Sequence, residues 1–174
     1  GSTFVDPGAT AEDVCAGSLS GSIAISGGVD TAHVGTYQIT YTVSDGYNTT
    51  SVTRTVNVVD TTPPVLSAVV PSPSILWPPN GRLITVSLAY AVTDNSGAVS
   101  CSVGVLSNEP VNGTGDGDTA PDWQVVSGTT IQLRAERAGG GSGRVYAISV
   151  TCRDASGNAA MKGTAVSVPH DKGK

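Results

Sequence analysis

The stretch Val145-Tyr146-Ala147-Ile148-Ser149-Val150-Thr151-Cys152 decides the fold, because every second side chain is apolar. Successive side chains of a strand point to opposite faces, so this alternation predicts a strand with one buried face. No segment repeats apolar residues at the helical period of about 3.6 over ten or more residues. The two-residue period recurs in five other segments, 36–44, 52–58, 83–92, 98–106 and 130–136. We therefore expect an all-β protein.

The composition agrees with many short strands joined by many turns. Of 174 residues, 22 are glycine and 10 are proline, and hydrophobic residues make up only 39%. Valine, isoleucine, threonine and tyrosine favour strands, whereas glycine, proline, asparagine and aspartate favour turns. The core is expected to be small for a chain of this length.

A domain boundary is predicted at Asp60-Thr-Thr-Pro-Pro64. Two consecutive prolines cannot continue a ladder of backbone hydrogen bonds. The boundary gives a small unit, 1–60, and a larger unit, 61–174. In the larger unit we expect seven strands, lettered in chain order: A 65–70, B 83–92, C 98–107, D 122–127, E 129–136, F 144–152 and G 159–168. Seven strands with polar turns favour a sandwich, although the pattern alone also permits a barrel.

Charge and motif content exclude several classes of function. The net charge of −5 lacks the basic footprint that nucleic acids require. No segment approaches the roughly 20 apolar residues of a membrane span. The two histidines, His33 and His170, lie in different units, and neither a nucleophile elbow nor zinc-ligand spacing is present. We expect a non-enzymatic protein.

Both units resemble known modules of exported bacterial proteins. Segments 5–11, 35–45 and 53–60 resemble the bacterial surface-protein Ig-like domain. The second unit is similar to hyalin-repeat or bacterial Ig-like modules of secreted proteins in segments 76–80, 92–97, 107–110, 115–119, 133–137 and 154–158. The resemblance implies two immunoglobulin-like β-sandwich domains in tandem, secreted or on the cell surface.

The three cysteines are interpreted on the immunoglobulin strand order. Cys101 lies near the start of strand C and Cys152 at the end of strand F, and these two strands are antiparallel neighbours in such a sandwich. We predict a Cys101–Cys152 disulfide; the alternative is two reduced, buried thiols. Cys15 is then left over. We expect it to be buried and inert, with an exposed, reactive thiol or a bond to another chain as the alternatives.

The loop between strands C and D contains the densest group of carboxylates. It includes Glu109, Asn112, Asp116 and Asp118, and the strand order brings Glu136 to the same end of the sandwich. Calcium takes about six to eight oxygen ligands from flexible loops of this kind. The sequence therefore predicts a calcium site at this end. The alternative is that the aspartates only form local turn hydrogen bonds.

A second carboxylate group is expected at the opposite end of the sandwich. Asp94 lies in the B–C loop, Asp154 in the F–G loop and Asp60 in the segment that leads into the second unit. By analogy with cadherins, this group predicts calcium held between the domains, stiffening the joint. The alternative is that Asp94 and Asp154 cap tight turns.

These predictions favour a structural or adhesive accessory region of a larger exported protein. Its partner would be a cell-surface protein or a polysaccharide. The alternative is a carbohydrate-binding module appended to a secreted hydrolase, with Trp77 or Tyr47 stacking on a sugar ring. For Trp77, however, we expect a place filling the end of the sandwich, and for Trp123 a place in the core.

Overall fold

The computed structural model describes residues 2–111 and 120–171. The described residues form fourteen β-strands and one 3-10 turn, Ser20–Ser22, and contain no α-helix. The chain divides into two compact units, Gly1–Asp60 and Thr61–Lys174. The all-β fold class predicted from the sequence is confirmed.

The first unit has five strands: β1 Glu12–Asp13, β2 Gly17–Ser18, β3 Ala24–Gly27, β4 Gly35–Ser44 and β5 Thr49–Val58. Strands β3, β4 and β5 form an antiparallel sheet in that order, and β1 pairs with β2 in a small hairpin. On β4, Ile39 and Tyr41 face inward and are each 4% exposed. The alternate residues, such as Thr36 and Gln38, face solvent, as the two-residue period predicts.

A polar cluster ties the start of the chain to this sheet. The Tyr41 hydroxyl donates to Asp6 Oδ1, and Arg54 Nη1 donates to the same oxygen. Arg54 Nη2 also donates to the Gly8 carbonyl at 3.1 Å. The Tyr41 hydrogen bond is the main cause of the lowered pKa of Asp6, and burial raises the pKa of Tyr41. The segment before β1 is therefore held by side chains.

The second unit contains nine strands among its described residues. They are β6 Val65–Leu66, β7 Val70–Ser72, β8 Leu83–Ala89, β9 Val92–Thr93, β10 Val99–Ser107, β11 Trp123–Ser127, β12 Thr130–Arg134, β13 Gly143–Asp154 and β14 Ala159–Pro169. One sheet has the order β11-β12-β8-β7 and another β10-β13-β14, while β6 pairs with β9. These correspond to the D-E-B-A and C-F-G sheets of an immunoglobulin sandwich.

The core of the second unit lies between the two larger sheets. Val86 on β8, Ile131 and Leu133 on β12, and Ile148 and Val150 on β13 are at most 2% exposed. Their spacing by two along each strand places them on one face of its sheet. Trp123 is partly buried against this core, as expected, with its ring edge toward the Tyr146 ring.

The predicted Cys101–Cys152 disulfide is confirmed. Cys101 on β10 and Cys152 on β13 are direct cross-strand neighbours in the antiparallel register. The disulfide therefore joins two strands of the same sheet.

Two predicted strands are each divided in the structure. The strand expected at 65–70 consists of β6 and β7, and the strand expected at 83–92 consists of β8 and β9. Leu66 and Val69 are both buried although they are three residues apart. This spacing breaks the two-residue period because the chain changes sheets between them.

The expectation that Trp77 fills the end of the sandwich is wrong. Trp77 is 40% exposed, whereas its neighbour Leu76 is 2% exposed and belongs to the core. Leu76 donates its backbone N–H to the Ser167 carbonyl at 2.8 Å, and Ser167 donates to the Ser74 carbonyl at 3.0 Å. This backbone pairing along β14 points Leu76 inward and leaves the indole outside.

The expectation that Cys15 is buried is also wrong. Cys15 is exposed and has a free thiol in the turn between β1 and β2. Its backbone N–H donates to Asp13 Oδ1 at 2.8 Å. A turn between two strands of two residues each has no surface against which the thiol could pack.

Candidate metal centre

Asp94 follows β9 and combines a turn hydrogen bond with a buried oxygen. Its Oδ1 accepts from the backbone N–H of Ser96 at 2.8 Å and from the Ser96 hydroxyl. Its Oδ2 has less than 1 Å² of exposed surface and no hydrogen-bond partner within the described part of the chain. The turn-capping role therefore accounts for one oxygen of this carboxylate and leaves the other without a donor.

Asp154 ends β13 and is 8% exposed. Its Oδ1 accepts from the backbone N–H of Asn158 at 2.8 Å, and its Oδ2 accepts from the Asn158 side-chain amide at 2.7 Å. The tight turn from β13 to β14 includes Gly157 with a φ of +91°, a value that favours glycine. The turn thus fixes the Asp154 carboxylate at the end of the sheet.

Asp60, Asp94 and Asp154 bring their carboxylates together. Each offers one oxygen, and the three oxygens lie within 4.8 Å of one another. Oxygens that share a calcium ion at about 2.3–2.6 Å lie at most about 5 Å apart, so the spacing suits this ion. Three carboxylates are hard oxygen ligands, which favour calcium or magnesium over softer metals.

At the other end of β13, Glu109 and Glu136 lie against the guanidinium of Arg144. Glu109 Oε2 accepts from Arg144 Nε at 3.1 Å and from the backbone N–H of Ala138 at 2.8 Å. Arg144 Nη1 donates to Glu136 Oε1 at 3.4 Å and to Asp122 Oδ2 at 2.6 Å. The structure thus brings the two predicted glutamates together around an arginine.

Arg144 is fully buried, with 0% exposure, and is one of two buried arginines in this cluster, because Arg134 Nε lies 3.9 Å from Glu136 Oε2. Burial works to lower the pKa of the guanidinium, but hydrogen bonds to Tyr146, Glu109 and Asp122 outweigh it and raise the pKa. The site residues predicted from the sequence include neither Arg144 nor Asp122. Arg144 has the same parity as Tyr146 and Ile148, so extending the inward row by one position would have identified it. The predicted ligands Asn112, Asp116 and Asp118 lie outside the described residues.

The two aromatic candidates for ligand binding lie in different units and are both accessible. Trp77 is 40% exposed in the second unit, between β7 and β8. Tyr47 is 95% exposed in the turn between β4 and β5 of the first unit. Asp45 Oδ1 accepts from the backbone N–H of Tyr47 at 2.8 Å, which fixes the turn but leaves the ring in solvent.

Comparison with known proteins concerns mainly the first unit. The family model described as "Bacterial surface protein, Ig-like domain" matches residues 1–58. This unit is therefore similar to an Ig-like domain of bacterial surface proteins. The crystal structure of human protocadherin-24 EC1-2 aligns at 18% identity with a TM-score of 0.33, covering 81% of this chain and 68% of that chain. A comparison with curated protein sequences gave no match. Among the described residues, no helix is long and apolar enough to cross a membrane.

Proposed function

We propose that this chain is a non-enzymatic, calcium-binding structural or adhesive region of a secreted or cell-surface bacterial protein. The first unit is a small Ig-like domain and the second a larger Ig-like sandwich. The match of residues 1–58 to a surface-protein Ig-like domain supports the extracellular setting. Its partner in this proposal is a cell-surface protein or polysaccharide.

The calcium part of the proposal rests on the buried Asp94 Oδ2. This oxygen has no hydrogen-bond donor among the described residues, and one Asp94 oxygen lies within 4.8 Å of an oxygen each of Asp60 and Asp154. A buried anionic oxygen without a donor is costly, and like charges at this distance repel one another. A divalent cation bound by all three carboxylates offsets both costs.

Each aspartate has a distinct role in this proposed site. Asp154 is set by the β13–β14 turn and Asp94 by the turn that follows β9. Asp60 lies in the connecting segment and completes the group. Binding of calcium by all three carboxylates restricts the motion of that segment, which is the property that a structural spacer requires.

The test compares thermal unfolding in calcium and in chelator. Extracellular calcium modules have dissociation constants of about 0.1–1 mM, so about 10 mM calcium stabilises the folded state by about 1.4–2.7 kcal/mol. We expect a rise in Tm of several degrees for the wild type. Asp94→Asn keeps an oxygen for the Ser96 hydrogen bonds but removes the charge, so we expect it to lose the calcium-dependent rise.

Asp45→Asn is the matched control. Asp45 caps a turn through the backbone N–H groups of Tyr47 and Asn48, at 2.8 and 2.6 Å, and is not a member of the carboxylate group. This variant should keep the full calcium effect. Identical wild-type melting curves in calcium and in chelator would refute the calcium proposal, as would an unchanged calcium effect in Asp94→Asn.

Carbohydrate binding is the second candidate, and the exposure of Trp77 and Tyr47 favours it. An accessible indole or phenol ring can stack on the apolar face of a sugar. Glycan-array binding by the wild type that is lost in Trp77→Ala or Tyr47→Ala would support this function. Absence of binding to any neutral or acidic glycan in the wild type would exclude it.

A further inference from the structure

The sheet β10-β13-β14 has an outer face that the core does not use. Along β13 the inward residues are buried, and Val145, Ala147, Ser149, Thr151 and Arg153 point outward. Their direct neighbours on β10 and β14 lie on the same face, because cross-strand pairs share a side of the sheet.

A row of small residues, here called the trough, crosses the middle of this outer face. Gly104 on β10, Ser149 on β13 and Gly163 on β14 lie opposite one another in one cross-strand row. Two of the three have no side chain, and the Ser149 hydroxyl lies beside Gly104, 2.8 Å from the position that a Cβ would take. The trough runs perpendicular to the strands and divides the face into two halves.

The two halves contain three large exposed apolar side chains: Leu106 and Val145 in one half, with Val145 40% exposed, and Met161 in the other. Leu106 is 72% exposed in the row that also contains Ala147 and Ala165. Met161 is 66% exposed in the row that also contains Ser102 and Thr151. Leu106 lies on one edge strand and Met161 on the other, so these two side chains are diagonally opposed across the trough.

The face also has almost no charge. Of its outward residues on the three strands, Arg153 alone is ionisable; the residues are Ser100, Ser102, Gly104, Leu106, Val145, Ala147, Ser149, Thr151, Arg153, Ala159, Met161, Gly163, Ala165 and Ser167. Exposed apolar side chains on an uncharged face are typical of interaction surfaces.

We propose that this face packs against the same face of a second copy of the chain, with a twofold axis along the trough. Rotation about that axis exchanges the two halves of the face. Leu106 of one copy then lies over Ser102 of the other, and Met161 lies over Ala165, so each of these two large side chains meets a small one. Sheets that pack face to face require this interdigitation, and a twofold contact must be self-complementary.

The same twofold rotation places the two Arg153 side chains far apart. Arg153 of one copy lies over Val145 of the other, at the opposite end of β13. The two Arg153 side chains are then about eight residues apart along the strand direction, roughly 27 Å, so they do not repel strongly. A face that binds a different protein does not need its two halves to be complementary to each other. Because the two halves of this face are complementary, we choose a second copy of the chain as the partner.

The expected dimer is weak. Three strands of about nine residues cover about 14 Å by about 30 Å, or roughly 400 Å² per copy. Stable interfaces bury about 800 Å² per partner, so we expect a dissociation constant in the high micromolar to millimolar range. Many copies displayed on one surface would strengthen such a contact through avidity.

The test is sedimentation equilibrium of the full chain from about 10 µM to about 1 mM, the range that suits an interface of this size. All variants carry Cys15→Ser, so that the exposed thiol cannot link copies. We expect Leu106→Glu and Ser102→Lys each to weaken the dimer by about tenfold or more, because each places a charge in an apolar contact. The double variant should regain affinity, since each glutamate then lies over a lysine of the other copy.

Ser87→Glu is the matched control, because Ser87 is an exposed residue of β8 in the other sheet. It should dimerise like the Cys15→Ser parent, and circular dichroism should show that every variant is folded. A parent chain that stays monomeric at about 1 mM overturns the proposal. So does a dimer that Leu106→Glu leaves unchanged, or a double variant that is as weak as its worse single variant. These outcomes do not depend on calcium, so they are separate from the test of the metal site.

Discussion

Among the described residues, the first unit buries two hydrophobic side chains, Ile39 and Tyr41, whereas the second buries fifteen in one continuous core. Both units use the same alternating strands, so the difference lies in what covers the inward face. In the first unit the cover includes the Asp6–Tyr41–Arg54 cluster and the segment before β1. In the second unit a second sheet provides it.

Without a second sheet to cover its inward face, the sheet of the first unit buries few hydrophobic side chains. A domain of about 60 residues buries a smaller fraction of its surface than a domain of about 110 residues and is correspondingly marginal. The first unit compensates in part with directed polar bonds. The second unit contains a buried charge cluster and a disulfide in addition to its core. We therefore expect the first unit to unfold at a lower temperature.

The largest effect is expected from removing the Cys101–Cys152 disulfide. The bond spans 51 residues of sequence, and the chain-entropy model gives about 4 kcal/mol for a loop of that length. In Cys101→Ala with Cys152→Ala, the high-temperature calorimetric transition should move down while the transition of the first unit stays in place. If only the lower transition moves, the assignment of the more stable transition to the second unit is wrong.

The next effect is expected at Arg144. Arg144→Met fills a similar volume but leaves the buried carboxylates of Asp122 and Glu136 beside an uncharged side chain. Removing one partner of a buried ion pair costs about 3–5 kcal/mol. Urea unfolding should show a loss of at least about 3 kcal/mol in the second unit. Arg153→Met, an exposed arginine on the same strand, should change stability by less than about 0.5 kcal/mol. Equal stability of the two variants would mean that the cluster gives no net stabilisation.

A matched pair of small deletions compares the two cores directly. Ile131→Val and Ile39→Val each remove one methylene group, the first from a site with 0% exposure and the second from a site with 4%. Ile→Val costs about 0.5–1.5 kcal/mol, more where the surroundings cannot collapse. We expect about 1.5 kcal/mol at Ile131 and about 0.5 kcal/mol at Ile39. The reverse order, measured by denaturant unfolding of each unit, would show that the small core is the more tightly packed.

The smallest effect concerns pH. A hydrogen bond to Asp171 and one to the Gly139 carbonyl raise the pKa of His170 above its ordinary value of 6.5. Because folding raises this pKa, the stabilisation is present below about pH 6.5 and is lost as the pH rises through the folded-state value. An NMR titration should show the raised pKa of His170, and Asp171→Asn should lower it. An unchanged pKa in that variant would remove Asp171 as the cause.

Most of the fold could be predicted from the sequence because alternation in β8, β10, β12 and β13 is regular. Alternation does not reveal where a chain crosses from one sheet to the other, so the divided strands were missed. The positions of Trp77 and Leu76 were missed for a related reason. Two large apolar neighbours cannot both face inward in an extended segment, and composition does not say which one does.

The grouping of Asp60, Asp94 and Asp154 could be predicted from the strand order, because loops at one end of a sandwich converge. The arginine cluster at the other end was not predicted, although Glu109 and Glu136 were singled out. The predicted site residues were acidic residues in loops, whereas Arg144 is a charged residue within the otherwise apolar inward row of β13. Arg144 becomes visible only when the inward row of β13 is followed to its end.

The inward row of β13 begins with Arg144 and ends with Asp154, and everything between them is apolar apart from the Tyr146 hydroxyl. A slide of the strand by two residues would keep every side chain on its own face, so alternation alone cannot prevent it. Such a slide would push either the guanidinium or the carboxylate into the hydrocarbon interior. The two ionic groups at the ends of this row therefore fix the register of the strand, although neither adds apolar surface to the core.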